Sequence, residues 1–569
     1  MKKINKYLDR IGKWIVLLPF SAIVFFLLLS SIYGSCYVNN DEYTYFVTDR
    51  VWLHMIFIIF LFGIWMIAGK YINNKISEKQ KKILWYILLA VYTIGVIVFA
   101  LWVSIEPRAD QKSVVDVATK MINGDYSEFR KGGYMDVYPN QVGIVYVFYW
   151  IFQIFPYGYK SICVLNGISV CAIATSMVEI GKLLFNNEKF NIKKSYITGV
   201  FTLAFFPLIC YVTFIYGNLM GLALSLVGIY FVLKYFENKK MCYVVVAIIT
   251  IGLSVLVKEN YLIFFIGVVL FLFLDLIKKP SKKTAIFFIG SIISVVSLTN
   301  IAEFHTNKIT GMEISKGVPK LAWVVMGMQE GYMACGWHNQ YNENVYREQK
   351  CNAEAAEKVV KADFKECIHS MKENPGYMAR FFFQKTVSQW NNPTFEGFWI
   401  NDPVKREREG IKTKPLSGVF SSITGEPGNP YLKQYCNIFQ TIILFGVFLW
   451  LVIEWKNIRI QQLLLATIFL GGFIFHCFWE AKSQYTLSYF VLLLPYAVCG
   501  LQKTAEQFEQ VLKEKDTTVN KCKKNIGVSV VIVVIICILC SSFVGDRIIS
   551  KVFGLNEEAY KEYVLSNKN

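Results

Sequence analysis

"ILWYILLAVYTIGVIVFALWVSI" (83–105), followed at once by "EPRADQ" (106–111), decides the fold. The first stretch holds no charged residue and exceeds the ~20 apolar residues that carry a helix across the hydrocarbon core of a bilayer. Backbone in lipid finds no water, so such a run satisfies its own N–H and C=O groups as helix. Glu106, Pro107, Arg108 and Asp110 then stop it. Runs of the same kind recur from one end of the chain to the other. Of 569 residues, 54% are hydrophobic and 18% charged, against ~25% charged in an ordinary soluble domain. The chain reads as an all-α polytopic membrane protein with about thirteen spans.

The net charge of +18 would suit a nucleic-acid partner, but its placement argues against one. Lysines gather between the hydrophobic runs, in "KYINNKISEKQKK" (70–82), "KKPSKK" (278–283) and "KEKDTTVNKCKK" (513–524). That is the pattern of cytoplasmic loops, and it predicts a multi-pass protein of the cell membrane. With the basic start inside, runs at 14–33, 52–69 and 83–105 put EPRADQ at the beginning of an outside loop, 104–140. Within it, 114, 115, 118, 121 and 122 are apolar at helical spacing, which predicts a helix lying along the outer surface.

Further runs follow at 142–156, 161–184, 195–214, 218–236, 241–257, 260–277 and 284–302. Seven full crossings would set the next loop inside, against the lysine pattern. The short "VGIVYVFYWIFQIFP" (142–156) is therefore expected to be a half or re-entrant helix. Five regions result: a two-helix segment (1–82), a transmembrane core (83–302), a large extracytoplasmic loop region (303–435), C-terminal spans (436–500), and a basic linker with a last span at 526–545 and a tail (501–569).

Polar material concentrates outside, at 104–140, 303–435 and "FWEAKSQY" (478–485), while the middles of the spans lack the ionisable groups that line a transport path. Fourteen cysteines give no metal-binding spacing; Cys537 and Cys540 lie in an apolar run and read as small hydrophobes. No DxD triplet, no WWDYG block and no GxxxxGK[ST] loop occurs, which removes the anchors of a metal-bound nucleotide sugar, an oligosaccharyltransferase and an ATP-driven pump. No cofactor or metal is expected.

"PRADQ" (107–111), "VATKMINGDYSEF" (117–129) and "YMDVYPNQVGIVYVFYWIF" (134–152) resemble the first outside loop of the GT-C glycosyltransferases, in the branch of the protein O-mannosyltransferases and lipid A aminoarabinose transferases. "WEAKSQYTLSYFVLLLPYAVCGL" (479–501) is similar to a late-helix element of the bacterial members. "GVPKLAWVVMGMQEGYMACGWHNQYN" (317–342) and "FFFQKTVSQWNNPTFEGFW" (381–399) resemble their large outside loop. The resemblance implies a GT-C-like bundle that moves a sugar from a polyprenyl-phosphate donor to an envelope glycopolymer, lipid or protein at the outer face, with inversion. It implies Asp110 as general base, Arg108, Lys258, Lys385, Lys482 and Tyr485 as ligands of the donor phosphate, and Tyr138, Gln141, Trp337, His338, Trp390 and Glu480 as substrate contacts. Gln484 stands where the family commonly has arginine, which removes a bidentate phosphate ligand.

Each of these residues also has a plainer reading. Asp110 can be the wet end of a helix, Lys258 a snorkelling cation, and Lys482 the partner of Glu480 in a turn. Trp323, Trp337, Trp390 and Trp399 suit an interfacial belt. Asp41 and Glu42 read as solvated loop acids; Asp116, Asp125 and Asp136 read as solvated or capping. The rival functions are a lipid-linked sugar flippase or transporter, and an O-antigen-type polymerase or ligase.

Overall fold

The structure is a computed structural model, described for residues 2–39, 42–49, 51–103, 105–155, 158–185, 196–331, 333–401 and 429–513. The chain opens with α1 (Lys2–Tyr33), then β1 (Gly34–Val38) and β2 (Thr44–Thr48), α2 (Val51–Lys75) and α3 (Glu78–Val103). Next come α4 (Asp110–Ile122), α5 (Tyr134–Val137), α6 (Val142–Ile154), α7 (Tyr159–Phe185), α8 (Tyr196–Ala204) and α9 (Pro207–Cys210). The core continues through α10 (Asn218–Asn238), α11 (Met241–Val257), α12 (Leu262–Lys278) and α13 (Lys282–Thr310). Five shorter or amphipathic helices follow: α14 (Leu321–Met326), α15 (Tyr341–Glu348), α16 (Ala353–Glu373), α17 (Pro375–Trp390) and α18 (Gly397–Ile400). α19 (Pro430–Glu454), α20 (Leu464–Phe478) and α21 (Leu487–Lys513) complete the described chain.

Eight helices among the described residues are long and apolar enough to cross a membrane, or nine if the pair α8–α9, bent by 60° at its break, counts as one span. The expected last run, 526–545, lies outside the described residues. Local chemistry sets several helix starts. Ser77 and Gln80 form a reciprocal cap before α3, and Asn429, with Pro430 behind it, caps α19 through Tyr431 and Leu432 N–H; both satisfy donors that a helix start leaves orphaned.

The basic ends of the long helices share one face. Lys278 pairs with Asp9, Lys503 with Glu454 and Lys239 with Asp275 at 2.7 Å. Lys13 donates to the carbonyls of Trp455 and Lys456 at 3.0 and 3.3 Å. The opposite ends meet the loops that hold Arg108, Lys258, Glu396 and Lys482.

α6 runs only 13 residues, about 20 Å at 1.5 Å per residue, against a hydrocarbon core of ~30 Å. It packs on α4 and near the ends of α11 and α13, and a β-carbon at Gly143 would strike the Leu256 carbonyl. The run expected to be a half helix is thus a short helix packed on α4. α4 is a helix at the expected place, and its apolar face packs into the protein: Val114, Val115, Ala118 and Met121 are buried, whereas Ile122 is exposed.

The structure adds to the helical reading a two-stranded antiparallel hairpin, Gly34↔Thr48 to Val38↔Thr44. α13 also continues to Thr310 and α19 begins at Pro430, so the polar region between them is shorter at both ends than 303–435. In the core, α19 and α21 cross where Gly446 and Gly500 touch backbone to backbone, the small-residue contact that lets apolar helices approach in lipid.

Candidate active site

The site starts from three adjacent jobs at the N-terminal end of α4. Arg108 is 3% exposed; its guanidinium lies 4.0 Å over the Trp399 ring and donates to the Trp399 carbonyl at 3.2 Å. Gln111 is buried, and its side-chain oxygen accepts the Ile215 N–H at 2.9 Å. Between these anchors Ala109 adopts φ 49°, ψ −137°, a conformation that costs a non-glycine residue ~1–3 kcal/mol and tends to persist at functional sites. Asp110, so held, is exposed.

Tyr216 links Asp110 to the next group. Its hydroxyl accepts from Gln141 Nε2 at 2.8 Å and points to Asp110 Oδ2 at a long 3.4 Å. Lys258 Nζ lies 3.9 Å over the Tyr216 ring and donates to the Tyr216 carbonyl at 3.2 Å. Burial pushes the Lys258 ammonium down to about 7, with the Asp110 charge pulling the other way. Beside Lys258 opens a narrow pocket between α10, α12 and the start of α21. Its polar end has Asn218, Gln484 and Tyr485; its walls are Leu222, Phe264 and Leu487. The side-chain oxygens of Asn218 and Gln484 are buried without a hydrogen-bond partner among the described residues.

A second charged group adjoins the first. Lys482 Nζ pairs with Glu42 Oε1 at 3.1 Å, both side chains about one-seventh exposed, and lies 6.0 Å from the Trp399 ring. Burial works to discharge Lys482, but Glu42, Glu480, Glu396 and Asp110 hold it protonated well above the usual lysine range. Glu480 accepts from the Tyr485 hydroxyl at 3.3 Å, and burial raises its carboxyl against the pull of Lys482. Glu396, also in the left-handed region at φ 59°, accepts from Ser483 Oγ and Gln484 N–H at 2.9 and 3.1 Å. Burial pushes it up to about 7.

Asp110, Arg108, Gln141, Lys258, Glu480, Lys482 and Tyr485 therefore gather at one place. Tyr138 belongs to its rim: the phenol donates to Glu343 at 3.1 Å and is pushed up by burial, then by Glu343 and Asp110. His338 acts on both Glu42 and Glu480.

Three expected site residues are placed otherwise. Lys385 is 1% exposed and donates to the carbonyls of Gly327 and Trp479 at 2.5 and 2.7 Å; it staples the loops after α14 and α20 together. Trp337 is fully buried with its indole N–H on Ser388 Oγ at 2.9 Å. Trp390 sits in a cage of Phe469, Phe473 and Tyr489, where no sugar face reaches it. Asp136, expected to be solvated or capping, is 7% exposed and accepts from Gly132 N–H at 2.8 Å and the Tyr346 hydroxyl at 3.3 Å.

Sequence reasoning passed over Tyr216, Glu396 and the role of Glu42. For Glu42 a signal existed: the aromatic and β-branched stretches 34–38 and 44–48, joined by a polar turn, carry a hairpin pattern. Among the described residues, no group of three or more His, Cys, Asp or Glu side chains is placed to hold a metal ion.

No protein-family model and no curated protein matches the sequence. Among solved structures the chain is similar to the archaeal oligosaccharyltransferase AglB from Archaeoglobus fulgidus in complex with an inhibitory peptide and a dolichol-phosphate. The identity is 10% and the TM-score 0.39, over 82% of this chain and 55% of that one. The apo form of the Archaeoglobus fulgidus oligosaccharyltransferase gives 11%, 0.33, 80% and 55%. The chain spans about half the length of these proteins. At such values the functional reading rests on the geometry of the site.

Proposed function

We propose that the chain is a GT-C-type glycosyltransferase that moves a sugar from a polyprenyl-phosphate donor to a hydroxyl of a cell-envelope glycopolymer, lipid or protein at the outer face of the cell membrane. The observation that carries this reading is the shared Tyr216 contact. An exposed carboxylate and a half-buried cation lie on either side of one tyrosine, and the cation lines a pocket of mixed polar and apolar walls. The gathering of basic helix ends on the opposite face supports the outward orientation.

In this reading the single lipid phosphate rests among Lys258, Tyr485 and Lys482, with the first prenyl units along Leu222, Phe264 and Leu487. Asp110 takes the proton of the acceptor hydroxyl as that oxygen bonds to the anomeric carbon. The bond from that carbon to the phosphate oxygen breaks, and its electron pair leaves with the phosphate. The leaving group needs positive charge rather than a proton, which Lys258 supplies. Attack from the side opposite the phosphate inverts the anomeric centre.

Asp110→Asn is the test. Transfer of radiolabelled sugar from a polyprenyl-phosphate donor to envelope acceptor should fall by ~10²–10⁴-fold, the usual worth of a general base, while binding of the polyprenyl phosphate stays at the wild-type level. Full transfer by a normally expressed Asp110→Asn chain would remove Asp110 from the reaction.

A further inference from the structure

The hairpin β1–β2 is fastened at both ends. At its base, Asp49 accepts from Ser35 Oγ and Asn437 Nδ2, each at 2.7 Å, and Cys36 N–H donates to the Asn391 carbonyl at 2.9 Å. Near its tip, the Thr44 N–H and hydroxyl both reach the Met333 carbonyl, at 3.3 and 2.9 Å. Asn39 closes the turn by accepting Tyr43 N–H on its side chain at 2.9 Å. The product of this construction is Glu42, a non-glycine residue at φ 65°, delivered to Lys482 across 440 residues of sequence.

Stability does not account for such a pair. Taking two opposite charges out of water costs about as much as their attraction returns, so a buried ion pair is weak evidence for net stabilisation. Its surroundings suggest another purpose. Lys482 and Arg108 both lie against the Trp399 ring. Burial works to raise the Glu42 carboxyl, yet Lys482, His338 and Arg108 together hold it below the usual range. Lys482 thus pairs directly with a carboxylate of the chain itself, with Arg108 on the same Trp399 ring, next to the place where a substrate phosphate is expected.

We infer that Lys482 and Arg108 form an anion subsite that Glu42 fills while no substrate is bound, and that the phosphate of the lipid-linked substrate takes over. The inference rests on the phosphate-bearing donor of the preceding reading and adds an internal competitor to it. Exchange of one anion for another keeps the charge around Lys482 balanced. Adding a phosphate beside a retained Glu42 would instead place one more negative charge next to it. The competitor lowers apparent affinity by the fraction of time the subsite stands open, so a subsite open one-tenth of the time binds about tenfold more weakly than its intrinsic affinity.

The experiment is equilibrium binding of a polyprenyl monophosphate to the full chain in detergent, read by tryptophan fluorescence, with inorganic phosphate as a second probe. Glu42→Gln should bind the polyprenyl phosphate about tenfold tighter than wild type. Thr44→Val, which loosens the hairpin and keeps the carboxylate, should fall between them; it also carries the test if Glu42→Gln does not fold. A gain with both probes assigns the subsite to phosphate as such, and a gain confined to the lipid probe assigns it to the lipid-borne group; either supports the inference. Equal or weaker binding by both variants, with wild type binding normally, overturns the competitor and leaves Glu42 as the structural partner of Lys482. Failure of every chain to bind the lipid probe overturns the phosphate-donor reading and this inference with it.

Discussion

At the residue scale, the central quantity is the charge state of Lys258. Burial brings its ammonium down to about 7, so the free chain loses this cation as pH rises through neutrality. A donor phosphate needs the charged form. The efficiency kcat/KM for the donor should therefore decline above about pH 7, because that parameter reports groups of the free enzyme. Bound phosphate favours the ammonium, so the same limb in kcat should lie at higher pH. Lys258→Met should abolish the limb and raise donor KM by ~10–100-fold, the worth of a hydrogen bond to a charged group. A pH–rate profile unchanged in Lys258→Met would assign the limb elsewhere. Ala109 offers a separate test of strain. Glycine tolerates φ near +49° and valine does not, so Ala109→Gly should hold or raise the thermal midpoint and Ala109→Val should lower it. Asp110 and Lys258 were reachable from their local motifs. Glu42 was reachable only as far as the hairpin that carries it, because its partner lies 440 positions away.

At the element scale, hydropathy exposed most of the long helices because lipid makes one simple demand on every span. It also marked α6 as too short to cross, since the lysine pattern left one crossing too many. What hydropathy could not expose was depth and packing: nothing in "FFFQKTVSQW" distinguishes Trp390 caged among aromatic rings from Trp390 facing a sugar. The outcome depends on α20 and α21, which supply the cage. The crossing of α19 with α21 is similarly cryptic until Gly446 and Gly500 are seen together. Gly500→Ala would press a methyl group into the Gly446 and Trp450 backbone, and should cost ~1–3 kcal/mol as overpacking. Gly471→Ala, whose new carbon would rest 3.5 Å from Ile263, serves as the control. Thermal unfolding of both variants in detergent should separate them clearly.

For the whole molecule, the two faces differ in chemistry, and the difference can be read in intact cells. Glu354, 77% exposed on α16, lies on the face of the candidate site, and Lys79 is exposed at the basic start of α3. In the orientation proposed, Glu354→Cys should react with a membrane-impermeant maleimide in whole cells above the wild-type background, and Lys79→Cys should react only after lysis. The reverse pattern would turn the molecule over and remove the outward site. The basic face has one more consequence, which concerns the order of synthesis. α1 is tied at Lys13 to carbonyls more than four hundred residues further along, and it packs against α19 and α20. The ribosome therefore delivers the first helix long before the helices that cover it. Leu17, Phe20 and Val24, all within 1% of complete burial in the finished bundle, must wait in lipid or against the insertion machinery. A chain that stops short of Pro430 leaves that wait without an end, and such a nascent fragment should be an early target of membrane proteases.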